Sequence, residues 1–266
     1  MSDAASTLAR NNVRVSGRGV RAMVFAHGFG CDQGMWVEVA RRFEDDYRVV
    51  LFDQVGAGGS DLSAYDPDKY ASLEGYARDL VEIGQALDLQ GAILVGHSVS
   101  AMTCALASIA EPQMFTELVM VGPSPRYVGD EGYPGAFSEG QVEELLSFLA
   151  ENHLGWSAAM GPAIAGNADR PEVGERLTAS FCEADPAIAR DFARVTFLSD
   201  NRADLPQVGA RTLVMQCRDD IIAPEAVGEY VHAALPNSRY RLLDATGHCP
   251  NLSAPDEVTR VIRDFV

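Results

Sequence analysis

The stretch Leu94-Val95-Gly96-His97-Ser98-Val99-Ser100-Ala101-Met102 decides the fold of this chain. An apolar, β-branched run over residues 92–95 ends at a glycine, and small residues that favour a helix follow Ser98. Such a strand–turn–helix segment exposes the serine hydroxyl, and the helix N-terminus stabilises negative charge that develops beside it. The tight turn needs small residues two positions before and after the serine, where Gly96 and Ser100 stand. The segment therefore predicts a nucleophilic serine in an α/β protein.

The rest of the chain alternates apolar strand patterns with amphipathic helix patterns. Strictly alternating β and α units indicate a mostly parallel sheet with helices on both faces. The predicted strands cover residues 23–26, 48–52, 92–95, 118–121, 212–216 and 240–243. The predicted helices between and after them cover residues 35–43, 73–87, 101–109, 224–234 and 255–265.

Residues 126–205 break this alternation. They contain helical patterns at 141–151, 171–181 and 186–197, with prolines and glycines between them and no pattern of a buried strand. We therefore expect a helical cap over 126–205. The α/β core domain would then consist of residues 1–125 and 206–266.

The composition excludes several classes of partner. The 266 residues carry 38 acidic and 21 basic side chains, and the formal charge of −17 repels nucleic acid and anionic membranes. The five cysteines include no C-x-x-C pair, so they predict neither a disulfide framework nor a zinc site. The N-terminus is polar, and no apolar stretch approaches the length of a membrane span. We expect a cytoplasmic protein that needs no metal ion and no cofactor.

A nucleophilic serine needs a base, and the base needs an acid that orients it. The loop after the strand 212–216 carries Asp219 and Asp220, and the loop after the strand 240–243 carries His248. Both loops follow the carboxyl ends of parallel strands, where open α/β sheets bind their ligands. The chain order of serine, aspartate and histidine is that of α/β-hydrolases. On this spacing either aspartate fits the role.

The loop His27-Gly28-Phe29-Gly30 follows the first predicted strand. Its backbone N–H groups can form an oxyanion hole with the N–H of Val99, the residue after the serine. By position we assign Phe29 as the second donor. The neighbouring His97 projects from the opposite side of the tight turn, so it competes poorly with His248 for the role of base.

Two further patterns invite other chemistry. The glycines of residues 53–60 follow a strand, as in a dinucleotide-binding fingerprint, but Asp61 occupies the place of the third glycine and no helix follows directly. A structural turn is the better interpretation. Cys249 could be taken for a nucleophile, but its place directly after His248 and the presence of Ser98 favour a small packing residue.

Several motifs together resemble the α/β-hydrolase superfamily. A narrower resemblance is to the branch that contains the bacterial stress-response hydrolase RsbQ and the plant strigolactone and karrikin receptors, and it runs from about Asn11 to the C-terminus. The superfamily motifs are His27-Gly28-Phe29-Gly30, Asp53-x-x-Gly56-x-Gly58-x-Ser60, Gly96-His97-Ser98-Val99-Ser100 and Gly247-His248. The branch motifs are Gly28-Phe29-Gly30-Cys31-Asp32-Gln33, Gly96-His97-Ser98-Val99-Ser100-Ala101-Met102 and Val121-Gly122-Pro123-Ser124-Pro125-Arg126-Tyr127. Two segments resemble the bacterial member in particular, Cys217-x-Asp219-Asp220-Ile221-Ile222-Ala223-Pro224 and Gly247-His248-Cys249-Pro250.

The resemblance implies an α/β-hydrolase fold with a V-shaped four-helix cap. It also implies a catalytic triad of Ser98, Asp220 and His248 with oxyanion donors at Phe29 and Val99. The family places the acid four residues before a proline, which selects Asp220.

Two functions are compatible with these features. The first is a serine esterase or lactonase that cleaves small apolar esters or lactones through an acyl-enzyme. The second is a ligand-sensing, RsbQ-like signalling component that hydrolyses a small molecule slowly and acts on a regulator protein as its partner. Dehalogenase and epoxide-hydrolase activities are disfavoured because they need a carboxylate in place of Ser98. For either function we predict a pocket whose lining residues could equally be ordinary cap packing: Phe29, Tyr127, Phe137, Trp156, Met160 and Phe197.

Overall fold

The computed structural model describes residues 3–266 and contains one seven-stranded sheet over that range. The strands are β1 (Arg14–Ser16), β2 (Ala22–Ala26), β3 (Arg48–Leu51), β4 (Ala92–His97), β5 (Phe115–Val121), β6 (Arg211–Arg218) and β7 (Ser238–Thr246). Their order in the sheet is β1-β3-β2-β4-β5-β6-β7. β1 pairs antiparallel with β3, and all other neighbours are parallel. The prediction of a mostly parallel α/β sheet is confirmed.

Helices cover both faces of this sheet. They are α1 (Asp3–Arg10), α2 (Val37–Ala40), α3 (Leu73–Ala86), α4 (Val99–Ala110), α5 (Glu139–Glu151), α6 (His153–Ala165), α7 (Pro171–Glu183), α8 (Pro186–Phe197), α9 (Glu225–Ala234), α10 (Pro250–Ser253) and α11 (Pro255–Arg263). Within residues 3–266, no helix combines the length and the apolar character that crossing a bilayer requires.

The central strand β4 shows why the sheet is covered on both sides. All six of its residues are buried. Ile93 and Val95 belong to the core on one face, while Ala92 and Leu94 belong to the core on the other. Full burial of each large aliphatic side chain stabilises the fold by about 1.5–3 kcal/mol. The strand end at Ser98 is therefore fixed from two directions.

The turn over residues 53–60 is held by one buried carboxylate. Asp53 is 1% exposed and accepts hydrogen bonds from the N–H of Gln33 (2.8 Å), the N–H of Gly59 (2.9 Å) and the Nδ2 of Asn12 (2.7 Å). This network agrees with the interpretation of the segment as a structural turn. It also ties the turn to the loop after β2.

Four helices, α5 to α8, lie between β5 and β6, inside the range expected for the cap. α6 packs against α7, and α5 packs against α6 and α8. The side chain of Asp185 caps α8 by accepting from the N–H groups of Ala187 and Ile188. The division of the chain into core and cap domains at residues 126–205 stays a prediction.

Four of these elements were not predicted, namely α1, β1, α6 and the short helix α10. α6 contains Gly155, Gly161 and Pro162, and its many small residues leave no amphipathic period to detect. Its start is fixed by Asn152, whose side chain accepts from the N–H of Gly155 (2.9 Å). β1 has three exposed residues and no apolar alternation, and α1 lies in the polar N-terminal segment.

Candidate active site

Ser98 stands on a strained turn between β4 and α4. Its φ of 57° and ψ of −126° are rare for a residue other than glycine and indicate stored backbone strain. The N–H of Ser98 donates to the carbonyl of Val121 on β5 (2.8 Å), which holds the turn against the sheet. A side chain at Gly96 would overlap the carbonyl oxygen of Ser100, so the glycine is required by close backbone approach.

Ser100 connects this turn to two neighbouring loops. Its hydroxyl donates to the carbonyl of His27 and accepts from the Nε2 of Gln54. The N–H of Gln54 donates to the Nε2 of His27 (3.0 Å), and burial lowers the pKa of that histidine. A serine at this position therefore gives a polar link that the glycine of the common superfamily pattern cannot provide.

The three residues predicted as a triad meet at the carboxyl ends of β4, β6 and β7. The Nε2 of His248 is 2.7 Å from the Oγ of Ser98, and its Nδ1 is 2.7 Å from the Oδ2 of Asp220. All three residues are at most 5% exposed. A neutral His248 with its proton on Nδ1 would donate to Asp220 and accept from the Ser98 hydroxyl. That is the arrangement in which a histidine removes the proton of a serine nucleophile.

The two aspartates differ in their position relative to His248. The other carboxylate oxygen of Asp220, Oδ1, accepts from the N–H groups of Ile222 (2.9 Å) and Ala223 (3.0 Å). These two bonds fix the orientation in which Oδ2 faces His248. Asp219 is exposed and has a φ of 52°. The structure brings Asp220, and not Asp219, against the imidazole.

The backbone of His248 is held by two other parts of the molecule. Its N–H donates to the carbonyl of Ile164 at the end of α6 (3.0 Å), and its carbonyl accepts from the Nε2 of His97 (2.7 Å). Burial, together with the nearby His248, lowers the pKa of His97 to about 3. A neutral His97 can keep its proton on Nε2 for this bond. His97 therefore supports the candidate base without replacing it.

The loop after β2 lies against the nucleophile. A Cβ placed on Gly28 would be 2.6 Å from the Nδ1 of His97 and 3.4 Å from the Cβ of Ser98. Among residues 3–266, no protein acceptor binds the N–H of Phe29 or of Val99, and Val99 is the first residue of α4. Two donors thus flank Ser98 with their hydrogen bonds unused. Their role as an oxyanion hole stays a prediction.

A cavity of about 30 Å³ borders Ser98 and His248. Three predicted lining residues border this chamber: Phe29, Tyr127 and Phe197. A volume of this size holds about two water molecules, so in this conformation it is too small for an ester. Hereafter we call this cavity the chamber.

The other three predicted lining residues lie behind its walls. Trp156 packs edge-on against Phe29, with ring centroids 5.9 Å apart. Phe137 packs edge-on against Phe197 at 6.1 Å, and Met160 is a half-buried part of the same core. Contact of these six residues with a substrate stays a prediction.

The chamber is also lined by six residues that the sequence analysis did not predict as lining residues. Leu177 and Phe181 belong to the buried face of α7, four positions apart, which helical spacing could have indicated. The remaining positions carry no local signal, because contact across the chamber depends on the packing of separate elements. The full set is Cys31, Ile164, Leu177, Phe181, Thr196 and Ile222.

Two cysteines line the chamber with His248, and neither is a reactive nucleophile. Cys249 is 1% exposed, and burial raises the pKa of its thiol well above the usual value, which disfavours the reactive thiolate. Burial likewise raises the pKa of Cys31 to about 12. Within residues 3–266, no group of three or more histidine, cysteine or carboxylate side chains is placed to bind a metal ion.

Comparison with known proteins identifies the family. A model of the α/β-hydrolase family matches residues 23–261. The chain is 38% identical to the strigolactone esterase D14 of Arabidopsis thaliana, and 36% identical to the karrikin insensitive 2 receptor CA of Petunia hybrida, over 95% of this chain and 94% of each relative. A solved hydrolase structure from Oleispira antarctica superposes with a TM-score of 0.96 at 36% identity, covering 98% of this chain and 96% of that one. This chain therefore belongs to the α/β-hydrolase family.

Proposed function

We propose that this protein is a serine hydrolase that cleaves small apolar esters or lactones through an acyl-enzyme. The observation that carries the proposal is the continuous hydrogen-bonded path from Ser98 through His248 to Asp220, with 2.7 Å at each step. The esterase named among the relatives supports the same class of reaction.

The reaction begins when the Oγ of Ser98 attacks the carbonyl carbon of the ester. The Nε2 of His248 takes the serine proton, and Asp220 stabilises the imidazolium that forms. The N–H groups of Phe29 and Val99 stabilise the oxyanion of the tetrahedral intermediate. His248 then gives its proton to the leaving alkoxide, so the C–O bond breaks and an alcohol departs. A water molecule, deprotonated by His248, releases the acid from Ser98 by the same steps.

The helices α5 to α8 serve as the cap over this site, within residues 126–205. Ile164, Leu177, Phe181 and Phe197 come from three of these helices and line the chamber. Because these side chains are apolar, the cap favours substrates with an apolar acyl group.

Replacement of the nucleophile tests the proposal. Ser98→Ala should lower kcat/KM for a panel of acetate and butyrate esters and butenolide lactones by on the order of 10³-fold or more. A fluorophosphonate should label the wild type once and leave the variant unlabelled. Ser108→Ala is the matched control, since Ser108 is a buried serine on α4, the helix that follows Ser98. Hydrolysis that survives in Ser98→Ala would refute the mechanism.

A second candidate function is favoured by the identity of 36% to a protein whose name contains the word receptor, the karrikin insensitive 2 receptor CA. In this alternative the site senses a small molecule, hydrolyses it slowly and signals to a regulator protein. The two functions differ in turnover on their natural ligand. A turnover of many cycles per second would support the function as an enzyme. A turnover of about one cycle per minute, together with ligand-dependent binding of a protein, would support the function as a sensor.

A further inference from the structure

A second cavity lies directly behind a wall of the chamber. Its volume is about 310 Å³, roughly tenfold larger than the chamber, and it reaches from the loop after β2 to the turn over residues 53–60 and to α8. Phe29 and Cys31 line both cavities. The ring of Phe29 is half-buried, whereas Cys31 is only 5% exposed. Phe29 is therefore the wall that separates the candidate catalytic serine from the larger space.

The small chamber requires that some wall moves before an ester reaches Ser98. The other aromatic walls, Tyr127, Phe181 and Phe197, are at most 3% exposed and do not line the second cavity. Phe29 has the second cavity on its far side and stands between two glycines. Rotation of its ring into that cavity would join the two volumes. The joined volume reaches the size of ordinary small-molecule sites, about 300 Å³ or more.

The lining of the second cavity indicates which part of a substrate it accepts. Its inner wall is apolar, with Val55, Ile188 and Phe192 beside Phe29. Toward solvent it carries the carboxylates of Asp32 and Glu183. A ligand with an apolar chain and an uncharged, hydrogen-bond-donating end fits this lining. An anionic end is repelled, because carboxylates outnumber the single arginine, Arg14.

Two buried side-chain amides strengthen the preference of the second cavity for ligand groups that donate hydrogen bonds. Gln33 and Gln54 line the cavity, are 5% and 4% exposed, and have side-chain oxygens without a donor among residues 3–266. Their orientation is fixed, since the Nε2 of Gln33 donates to the carbonyl of Asn12 (3.0 Å) and that of Gln54 to the carbonyl of His27 (2.8 Å). Both oxygens are shielded from solvent in this conformation. A ligand hydroxyl that reaches either oxygen would supply the donor that it lacks.

We infer that the second cavity is the leaving-group site, which holds the alcohol part of an ester when Phe29 swings aside. The preferred substrates carry an apolar alcohol chain that ends in a hydroxyl group. This inference rests on the proposed serine-hydrolase function. It assigns the acyl part of the ester to the apolar chamber under the cap.

The test fills the second cavity and compares two ester series. Ile188→Trp narrows the cavity from α8, and Ala184→Phe narrows it from the turn before α8 in case the first variant folds poorly. Ala187→Trp is the matched control, because Ala187 is exposed on the same helix and does not line the cavity. The first series varies the alcohol of an acetate from methyl to hexyl. The second varies the acyl group of a methyl ester over the same lengths.

We expect each filling variant to lower kcat/KM for hexyl acetate by at least about tenfold, while methyl esters of all acyl lengths change by no more than about twofold. Ala187→Trp should change neither series. The wild type should also prefer 6-hydroxyhexyl acetate over the acetate of 6-hydroxyhexanoate by at least about tenfold. The inference would be overturned if kcat/KM fell equally in both ester series or fell only in the acyl series. It would also be overturned if the wild type used the hydroxyl-ended and the carboxylate-ended acetates equally well. Methyl acetate turnover that disappears in Ser98→Ala tests the proposed function separately, so the two failures are distinguishable.

Discussion

The nucleophile and the base of the candidate site are anchored in different ways. The backbone of Ser98 is held by the sheet, through its N–H bond to Val121 and the packing of β4 on both faces. His248 is held partly by α6, a helix of the proposed cap, because its N–H donates to the carbonyl of Ile164. The Nδ2 of Asn167, just after α6, also donates to the carbonyl of Thr246 (3.1 Å). A change in the cap can therefore displace the base while the nucleophile stays in place.

The largest effect should come from the acid, which like Ser98 is anchored by the sheet side. Asp220→Asn should lower kcat by about 10⁴-fold, because an amide favours the wrong tautomer of His248. Asp219→Asn is the control on the neighbouring exposed residue and should change kcat by less than about threefold. Steady-state kinetics on one butyrate ester measure both. The reverse ranking would transfer the role to Asp219 and contradict the geometry at His248.

An intermediate effect should come from the contact between the cap and the base. Gly247 has a φ of 77°, and a Cβ there would overlap the carbonyl oxygen of Ala165. Gly247→Ala should displace His248 and lower kcat by about tenfold or more, since small misplacement of catalytic groups is costly. The matched control is Gly132→Ala, because Gly132 has a φ of 86° but no atom within 4 Å of an added Cβ.

Both glycine variants carry the backbone strain of a positive φ, about 1–2 kcal/mol. They differ in that only the added Cβ of Gly247→Ala overlaps α6, at the carbonyl oxygen of Ala165. Equal changes in kcat and in Tm for the two variants would mean that strain alone acts, and that the cap does not position His248. A selective loss of kcat in Gly247→Ala, with a native circular dichroism spectrum, would support the coupling.

The difference between the sheet, which holds Ser98, and helix α6 of the proposed cap, which helps to hold His248, also explains how much could be predicted from the sequence. The α/β core can be predicted from local sequence patterns. These are the buried strands, the tight turn at Ser98, and the loops at strand ends that carry Asp220 and His248. These patterns suffice for the fold and for the order of the candidate triad, because parallel strands bring their carboxyl ends to one edge.

One helix of the proposed cap, α6, and the two cavities could not be predicted from local sequence patterns. α6 lacks an apolar period, so it escaped prediction. Trp156 and Phe137 look like pocket residues by type, yet in the structure they pack behind Phe29 and Phe197. The direction of each side chain depends on the crossing of separate helices. The second cavity depends on the distance between α8 and the turn over residues 53–60, which no sequence window contains.

The smallest effect should come from the cap wall, at Trp156. This side chain is 1% exposed and packs against Phe29 and Phe181, both of which line the chamber. Trp156→Ala should lower kcat/KM for hexanoate esters by roughly five- to tenfold, because the loss of part of an apolar wall costs a long acyl chain about 1 kcal/mol. Acetate esters should change by less than about threefold, since a two-carbon acyl group scarcely uses that wall and Ser98 is held by the sheet. The measurement is kcat/KM along the acyl series in both proteins, with circular dichroism and Tm as controls for folding. Equal losses along the whole series in a folded variant would mean that Trp156 only supports the cap core, and the cap would then act on the site mainly through the loop of His248.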